Sequence, residues 1–294
     1  MRDETEIKDL IIRLAVSDEK IRAVLLNGSR ANPTVQADDL SDFDIVFIVS
    51  HLESFVSDHS WTNIFGEKLI WQLPNEMCFG NEVKTVAFSY LMLFTDGNRI
   101  DLTLFPIEYF ETDFKSDSQT IIWLDKDNLF PIIPPASDED YHIIKPTQKE
   151  FTDTCNEFWW VSTYVAKGLL RNQITYAKEM VETVVRPMFM KMIEWKIGVE
   201  SNFSVAIGKG GKFMSRHLSK DFYTAVLQTY ADAGIESNWK ALFVLTELFE
   251  AASEEVSLKL QLQLNKSEQQ NTTGYLKDLY NKQSVIPGKN PHGG

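Results

Sequence analysis

Seven residues, Phe43 to Val49, form an apolar and β-branched run broken only by Asp44, and Asp42 stands directly before them. A run this short and this apolar reads as a buried central strand. Residues two apart in a strand point to the same face, so Asp42 and Asp44 present two carboxylates side by side while Phe43 and Ile45 turn into the core. Such a pair is costly unless a cation neutralises it. Magnesium takes oxygen ligands, and two magnesium ions bridged by carboxylates stabilise in-line attack on a phosphorus atom.

The surrounding sequence supplies what such chemistry needs. Ile7, Leu10, Ile11, Leu14 and Ala15 recur at helical spacing, which predicts an amphipathic helix over 4–17. A strand from Ile21 to Leu26 runs into Asn27-Gly28-Ser29-Arg30, followed by a loop over 31–41 rich in Asn, Pro, Asp and Ser. Glycine directly after a strand lets the backbone approach a phosphate, and serine adds a hydroxyl and an amide donor. Val83 to Phe94 and Arg99 to Phe105 flank the turn Thr95-Asp96-Gly97-Asn98, a predicted hairpin with Asp101 between Ile100 and Leu102. A Gly-Ser turn or an Asp-x-Asp alone is ordinary in an acidic chain. Twelve residues between the two, plus a third carboxylate on a later apolar strand, point to catalysis.

At 294 residues the chain is long enough for about two domains. Pro131, Pro134, Pro135 and the acidic stretch Ser137 to Asp140 break the pattern, after which helical periodicity runs to about residue 262. The expected organisation is an α/β domain over 1–145, an all-α domain over 146–264, and a weakly ordered tail over 265–294. Thr147 with Glu150 forms a capping box opening a helix over 148–171, and further helices are predicted at 175–197, 213–230 and 236–262. Pro187 should kink or break the first of these. In the 148–171 helix, Phe151, Cys155, Phe158, Ser162, Val165 and Leu169 form a buried stripe. Glu157, Trp160, Tyr164, Lys167 and Arg171 form a second, either a solvated face or an aromatic and acidic surface suited to a polycationic sugar. Gly208-Lys209-Gly210-Gly211-Lys212 lacks Walker A spacing, which leaves a flexible surface loop or a lysine reaching a triphosphate.

Other function classes are disfavoured. Forty-two acidic against 29 basic residues give a net charge of −13, which repels nucleic acid and attracts cationic small molecules. Five histidines, His51, His59, His142, His217 and His292, show no metal-ligand spacing and should be structural or superficial. Cys78 and Cys155 suggest neither a disulfide nor a zinc knuckle and are expected as buried free thiols. No membrane-spanning run or apolar leader is visible, so a cytoplasmic protein without a membrane partner is expected.

The Gly-Ser, Asp-x-Asp and third-acid arrangement resembles the nucleotidyltransferase superfamily related to DNA polymerase β. The segments Asp101-Leu102-Thr103-Leu104, Leu124-Asp125-Lys126-Asp127, Lys145-Pro146-Thr147, Cys155-Asn156-Glu157-Phe158-Trp159, Tyr164 to Leu169 and Gly208-Lys209 with Lys212-Phe213 narrow it to a resemblance to aminoglycoside 6-adenylyltransferases, the streptomycin-modifying group. The resemblance runs over about residues 1–257; Asn27 stands where an acid is common, and the chain after about 258 fits poorly.

It implies an α+β fold, a mixed nucleotidyltransferase sheet with flanking helices followed by an all-α domain, with ATP and a cationic aminoglycoside meeting in the cleft between them. AMP would pass from ATP to the 6-hydroxyl of streptomycin with release of pyrophosphate. Asp42, Asp44 and Asp101 would hold two magnesium ions, one arriving with ATP. Gly28, Ser29, Arg30, Lys167, Lys209 and Lys212 would bind the nucleotide, and Asp101, Glu157, Trp160 and Tyr164 the antibiotic. Either Asp101 or Glu157 would take the hydroxyl proton. The alternatives are a transferase acting on another aminoglycoside, a lincosamide or a protein side chain, or a silent nucleotide-binding module.

Overall fold

The computed structural model describes residues 1–78 and 85–283. Its first helix, α1 (Glu4–Ser17), opens on the Asp3 and Glu6 capping box and buries Ile7, Ile11 and Ala15. Then follow β1 (Ile21–Asn27), β2 (Phe43–Val49), α2 (Glu53–Val56), β3 (Lys68–Gln72), β4 (Phe88–Phe94), β5 (Arg99–Pro106), α3 (Phe110–Asp113) and β6 (Ile121–Asp125). The six strands make one mixed sheet in the order β3-β4-β5-β2-β1-β6, with β2 and β5 parallel and the other pairs antiparallel. The predicted hairpin is β4–β5, turning at Gly97 with φ +87°; its expected beginning at Val83 lies outside the described residues. Edge strands β3 and β6 have no alternating buried pattern, which is why the sequence does not announce them.

The pleat sorts β2 and β5 into two layers. Phe43, Ile45, Phe47 and Val49 pack with Ile100, Leu102 and Leu104 in the same core as the inner face of α1. Ile48 and Phe105 join Ala23 and Leu25 on the opposite face, beside Phe110, Phe114 and Phe130. Asp44 is the register partner of Asp101. The two acids therefore sit opposite each other on the face away from α1, where their strands begin.

Compactness divides the chain into Met1–Asp140 and Tyr141–Gly294. The second unit contains α4 (Gln148–Leu170), α5 (Ile174–Met180), α6 (Arg186–Glu200), α7 (Lys220–Gln228), α8 (Ile235–Leu260) and α9 (Lys266–Gln283). Thr147 and Glu150 form the expected capping box. Pro187 does not break its helix: it stands in the first turn of α6, after a π-helical segment, Val181–Val185, that joins α5 to α6. The core is aromatic, with Phe158 stacked on Phe249 at 3.6 Å between centroids and Trp159 edge-on to both. No helix among the described residues is long and apolar enough to cross a membrane.

Two expectations need correction. Residues 266–283, expected as weakly ordered, form α9. The segment is polar on average, but Gln269, Leu276 and Leu279 repeat at helical spacing and are buried, while the Asn156 side chain donates to Glu268. A narrow apolar stripe suffices because α4 and α8 already supply most of the core. Cys155 is buried, with its thiol pushed up to about 12 by desolvation, whereas Cys78 is exposed. Cys78 follows the Pro74–Glu76 turn, outside any strand that could bury it.

Leu276→Ala should cost about 2–5 kcal/mol, the usual range for emptying a buried leucine site, read as a lower midpoint in urea unfolding. A cost below about 0.5 kcal/mol, the level of an ordinary surface substitution, would mean that α9 is not part of the cooperative fold.

Candidate active site

β1 ends at Asn27, and the chain turns at once through a short 3₁₀ segment, Gly28–Arg30. Gly28 has φ +71°, a left-handed conformation, and a Cβ built there would lie 2.1 Å from Asp44 Oδ2. The glycine is thus needed twice, for its backbone angle and for the carboxylate pressed against it. Asn27 and Asp44 are register partners, so the pairing of β1 with β2 sets this contact.

Arg30, expected to bind phosphate, is tied into the scaffold. Its side chain is only 8% exposed. It donates to the Ser41 carbonyl through Nε (3.2 Å) and Nη2 (2.8 Å), to the Asp38 carbonyl at 3.3 Å and to Glu4 at 3.0 Å. Its guanidinium also lies 3.9 Å from the centre of the Phe43 ring. The charge holds the 31–41 loop against the sheet, and Gly28 packs against Asp44.

A cation that the sequence reading passed over lies among the acids. Arg99 donates from Nε to Asp101 Oδ1 at 2.8 Å and from Nη2 to Oδ2 at 2.7 Å, and its Nη1 stands 3.4 Å from Asp42 Oδ2. The Asp101 hydrogen bonds foremost, then the fields of Asp101, Asp42 and Asp44, hold the guanidinium above its usual range against the opposing effect of burial. The signal was in the sequence: Arg99 and Asp101 are two apart on one strand and so share a face.

The three carboxylates are hard oxygen donors that suit magnesium, Gly28 leaves Asp44 the space a Cβ would fill, and a guanidinium already lies on two of the three acids. In these respects the residues fit a divalent ion. They are not closed around one: among the described residues, no three His, Cys, Asp or Glu side chains are gathered closely enough to hold a metal.

In the helical unit, the expected stripes of α4 separate cleanly. Phe151, Cys155, Phe158, Ser162, Val165 and Leu169 are buried, while Glu157 and Trp160 are exposed. Trp160 Nε1 donates to the Tyr164 hydroxyl at 2.7 Å, and Lys167 Nζ lies 5.3 Å from the Tyr164 ring centre. The stripe is therefore a connected surface of an indole, a phenol and an ammonium, with Glu157 one turn before Trp160. Lys209 and Lys212 are not on it. Lys209 lines a cavity of about 700 Å³ with Lys145, Lys191, Glu194 and Trp195, and Lys212 Nζ lies 5.0 Å from the Phe213 ring centre. Burial raises the Glu194 carboxyl above its usual range, partly offset by Lys191.

A Gly-Ser turn packed against one acid, with a second acid in register on the next strand of a mixed sheet, has the form of a nucleotidyltransferase centre. The profile of the streptomycin adenylyltransferase family matches residues 1–279, and the chain belongs to that family. The match extends through most of α9, beyond residue 258 where the resemblance was expected to fade. The chain is 41% identical over 263 residues to an aminoglycoside 6-adenylyltransferase of Campylobacter jejuni, covering 90% of this chain and 91% of that protein. It is 41% identical over 259 residues to one from Bacillus subtilis strain 168, covering 87% and 91%. A crystal structure of an aminoglycoside 6-adenyltransferase from Bacillus subtilis is 37% identical, with 95% of this chain and 99% of that one covered and a TM-score of 0.47. The chain is accordingly an enzyme of the nucleotidyltransferase class.

Gly28→Ala should lower nucleotidyl transfer at least about a hundredfold, or about 2.7 kcal/mol of barrier, because its methyl displaces Asp44. Gly210, at φ +64° with nothing within 4 Å of a built Cβ, provides the comparison. Its alanine variant should lose only the left-handed cost of about 1–2 kcal/mol in denaturant unfolding. A Gly28→Ala enzyme turning over at more than a tenth of the wild-type rate would contradict the packing.

Proposed function

We propose that the chain transfers AMP from ATP to the 6-hydroxyl of streptomycin and releases pyrophosphate. The observation that carries this reading is the packing of Asp44 against Gly28, with Asp101 its register partner on β5. Family membership narrows the acceptor to an aminoglycoside, and the net charge of −13 suits a polycation.

Asp42, Asp44 and Asp101 would hold magnesium, which when bound neutralises charge on the phosphates and polarises the reacting oxygens. Backbone amides at Gly28 and Ser29, with the Ser29 hydroxyl, would orient a phosphate at the turn after β1, while Asp44 fills the space that a side chain at 28 would take. Asp101 is the nearer candidate to receive the hydroxyl proton, because it belongs to the acid cluster itself. Glu157, on the surface with Trp160 and Tyr164, suits a cationic group of the antibiotic, with an aromatic face beside a carboxylate. Lys209 and Lys212 are assigned to the triphosphate, and Lys167, by its place beside Tyr164, to whichever substrate meets the α4 surface. The cytoplasm, where ATP is made available, is the expected compartment.

Asp42→Asn and Asp44→Asn should each reduce turnover at least about a hundredfold, since the metal clamp supplies several kcal/mol of transition-state stabilisation. Pyrophosphate release with ATP, magnesium and a panel of aminoglycosides and lincosamides measures this, and release with another antibiotic but not with streptomycin would sink the substrate assignment. Glu157→Gln should raise the KM for streptomycin with turnover nearly intact, the mark of lost uniform binding. A turnover collapse in Glu157→Gln at saturating streptomycin would make Glu157, not Asp101, the base.

A further inference from the structure

The two arginines near the acid motif in sequence, Arg30 and Arg99, are held in opposite ways. Arg30 is buried, stacked on Phe43 and hydrogen-bonded to the 31–41 loop and to Glu4 of α1. Arg99 is 42% exposed on its side chain, and its guanidinium is held by Asp101 and Asp42. Removing Arg30 from its place would disturb the loop and α1. Arg99 can leave by rotating its own side chain, with no cost to either core.

What Arg99 occupies is specific. Its fork takes both oxygens of Asp101, the geometry in which guanidinium and carboxylate match best, and its third nitrogen reaches across to Asp42. A magnesium ion bonds carboxylate oxygens at about 2.0–2.1 Å. It cannot do so while the same lone pairs accept hydrogen bonds from a guanidinium in the same space. The two cations compete for one set of acceptors.

We infer that Arg99 is the exchangeable counter-cation of the acid cluster. Its guanidinium holds Asp42 and Asp101 in the metal-free enzyme, and it must swing off both when a divalent ion takes the three carboxylates. Arg99 is thus a positioning residue that keeps like charges together before metal arrives and lowers the affinity for metal alone. The inference rests on the reading of Asp42, Asp44 and Asp101 as metal ligands.

The test is a titration of the metal-free full-length chain with manganese alone, free ion being followed by electron paramagnetic resonance. Asp44→Asn, measured in parallel, defines which binding belongs to the cluster. Arg99→Gln removes the competitor and should bind the ion at least about fivefold more tightly than wild type, by the linkage that governs two ligands of one site. Arg99→Lys keeps a charge but loses the fork, and should fall between. In chelator Arg99→Gln should melt below wild type, and magnesium should narrow that gap, which a merely structural arginine would leave unchanged. Should Arg99→Gln fail to fold, the lysine variant carries the test.

Equal or weaker ion binding by the variants, or a melting gap indifferent to magnesium, overturns the inference. If the wild type still adenylylates streptomycin, only the role of Arg99 is lost. If no protein shows ion binding that depends on Asp44, the metal assignment falls too, and this inference with it.

Discussion

Asp44 and Asp101 cannot move away from each other. Each is fixed by buried neighbours in a strand, Phe43 and Ile45 on one side and Ile100 and Leu102 on the other, and the parallel pairing of β2 with β5 sets them opposite. Like charges facing each other across a strand pair oppose the pairing that brings them there. The rest of the first unit answers this constraint. Gly28 gives Asp44 a place that no other residue type would leave open, and Arg99 brings positive charge to the cluster. The two hydrophobic layers above and below the sheet then supply the stabilisation that keeps an unfavourable electrostatic arrangement in register.

The helical unit solves a different problem, how to expose a large aromatic surface without losing it to the core. On α4 the division of labour is rotational. Trp159 is buried against Phe158 and Phe249, while Trp160, its neighbour in sequence, is 58% exposed and tied to Tyr164. Successive residues on a helix point about 100° apart, so a tandem of tryptophans can serve core and surface at once. The hydrogen bond between the exposed pair restricts their rotamers, and a pre-ordered surface loses less entropy when it takes a ligand.

Much of this was legible in the sequence, for identifiable reasons. The central strand, the hairpin and the two stripes of α4 follow periodicities of two and 3.6 that burial imposes directly. Asp42, Asp44 and Asp101 were conspicuous because they interrupt or precede apolar strand sequence, and their place at the starts of β2 and β5 follows from it. β3, β6 and α9 were not, because edge strands and a helix laid on a finished core need little apolar sequence of their own. Arg30 and Arg99 illustrate the remaining limit. Both are arginines close to an acid motif; the strand spacing puts Arg99 on the face of Asp101, whereas the loop contacts of Arg30 come from tertiary structure that no local pattern carries.

The arrangement around Arg30 also sets a length. Twelve residues separate Ser29 from Asp42, and the guanidinium that follows Ser29 grips the carbonyl of Ser41, the residue before that acid. The far end of the loop is therefore pinned to its near end by one side chain, and α1 is joined to both through Glu4. A related chain could lengthen or shorten the segment between these anchors, but the extra residues would have to bulge outward from a closed ring. What the ring fixes is a distance across space, set by the reach of one arginine side chain from beside Ser29 to Ser41.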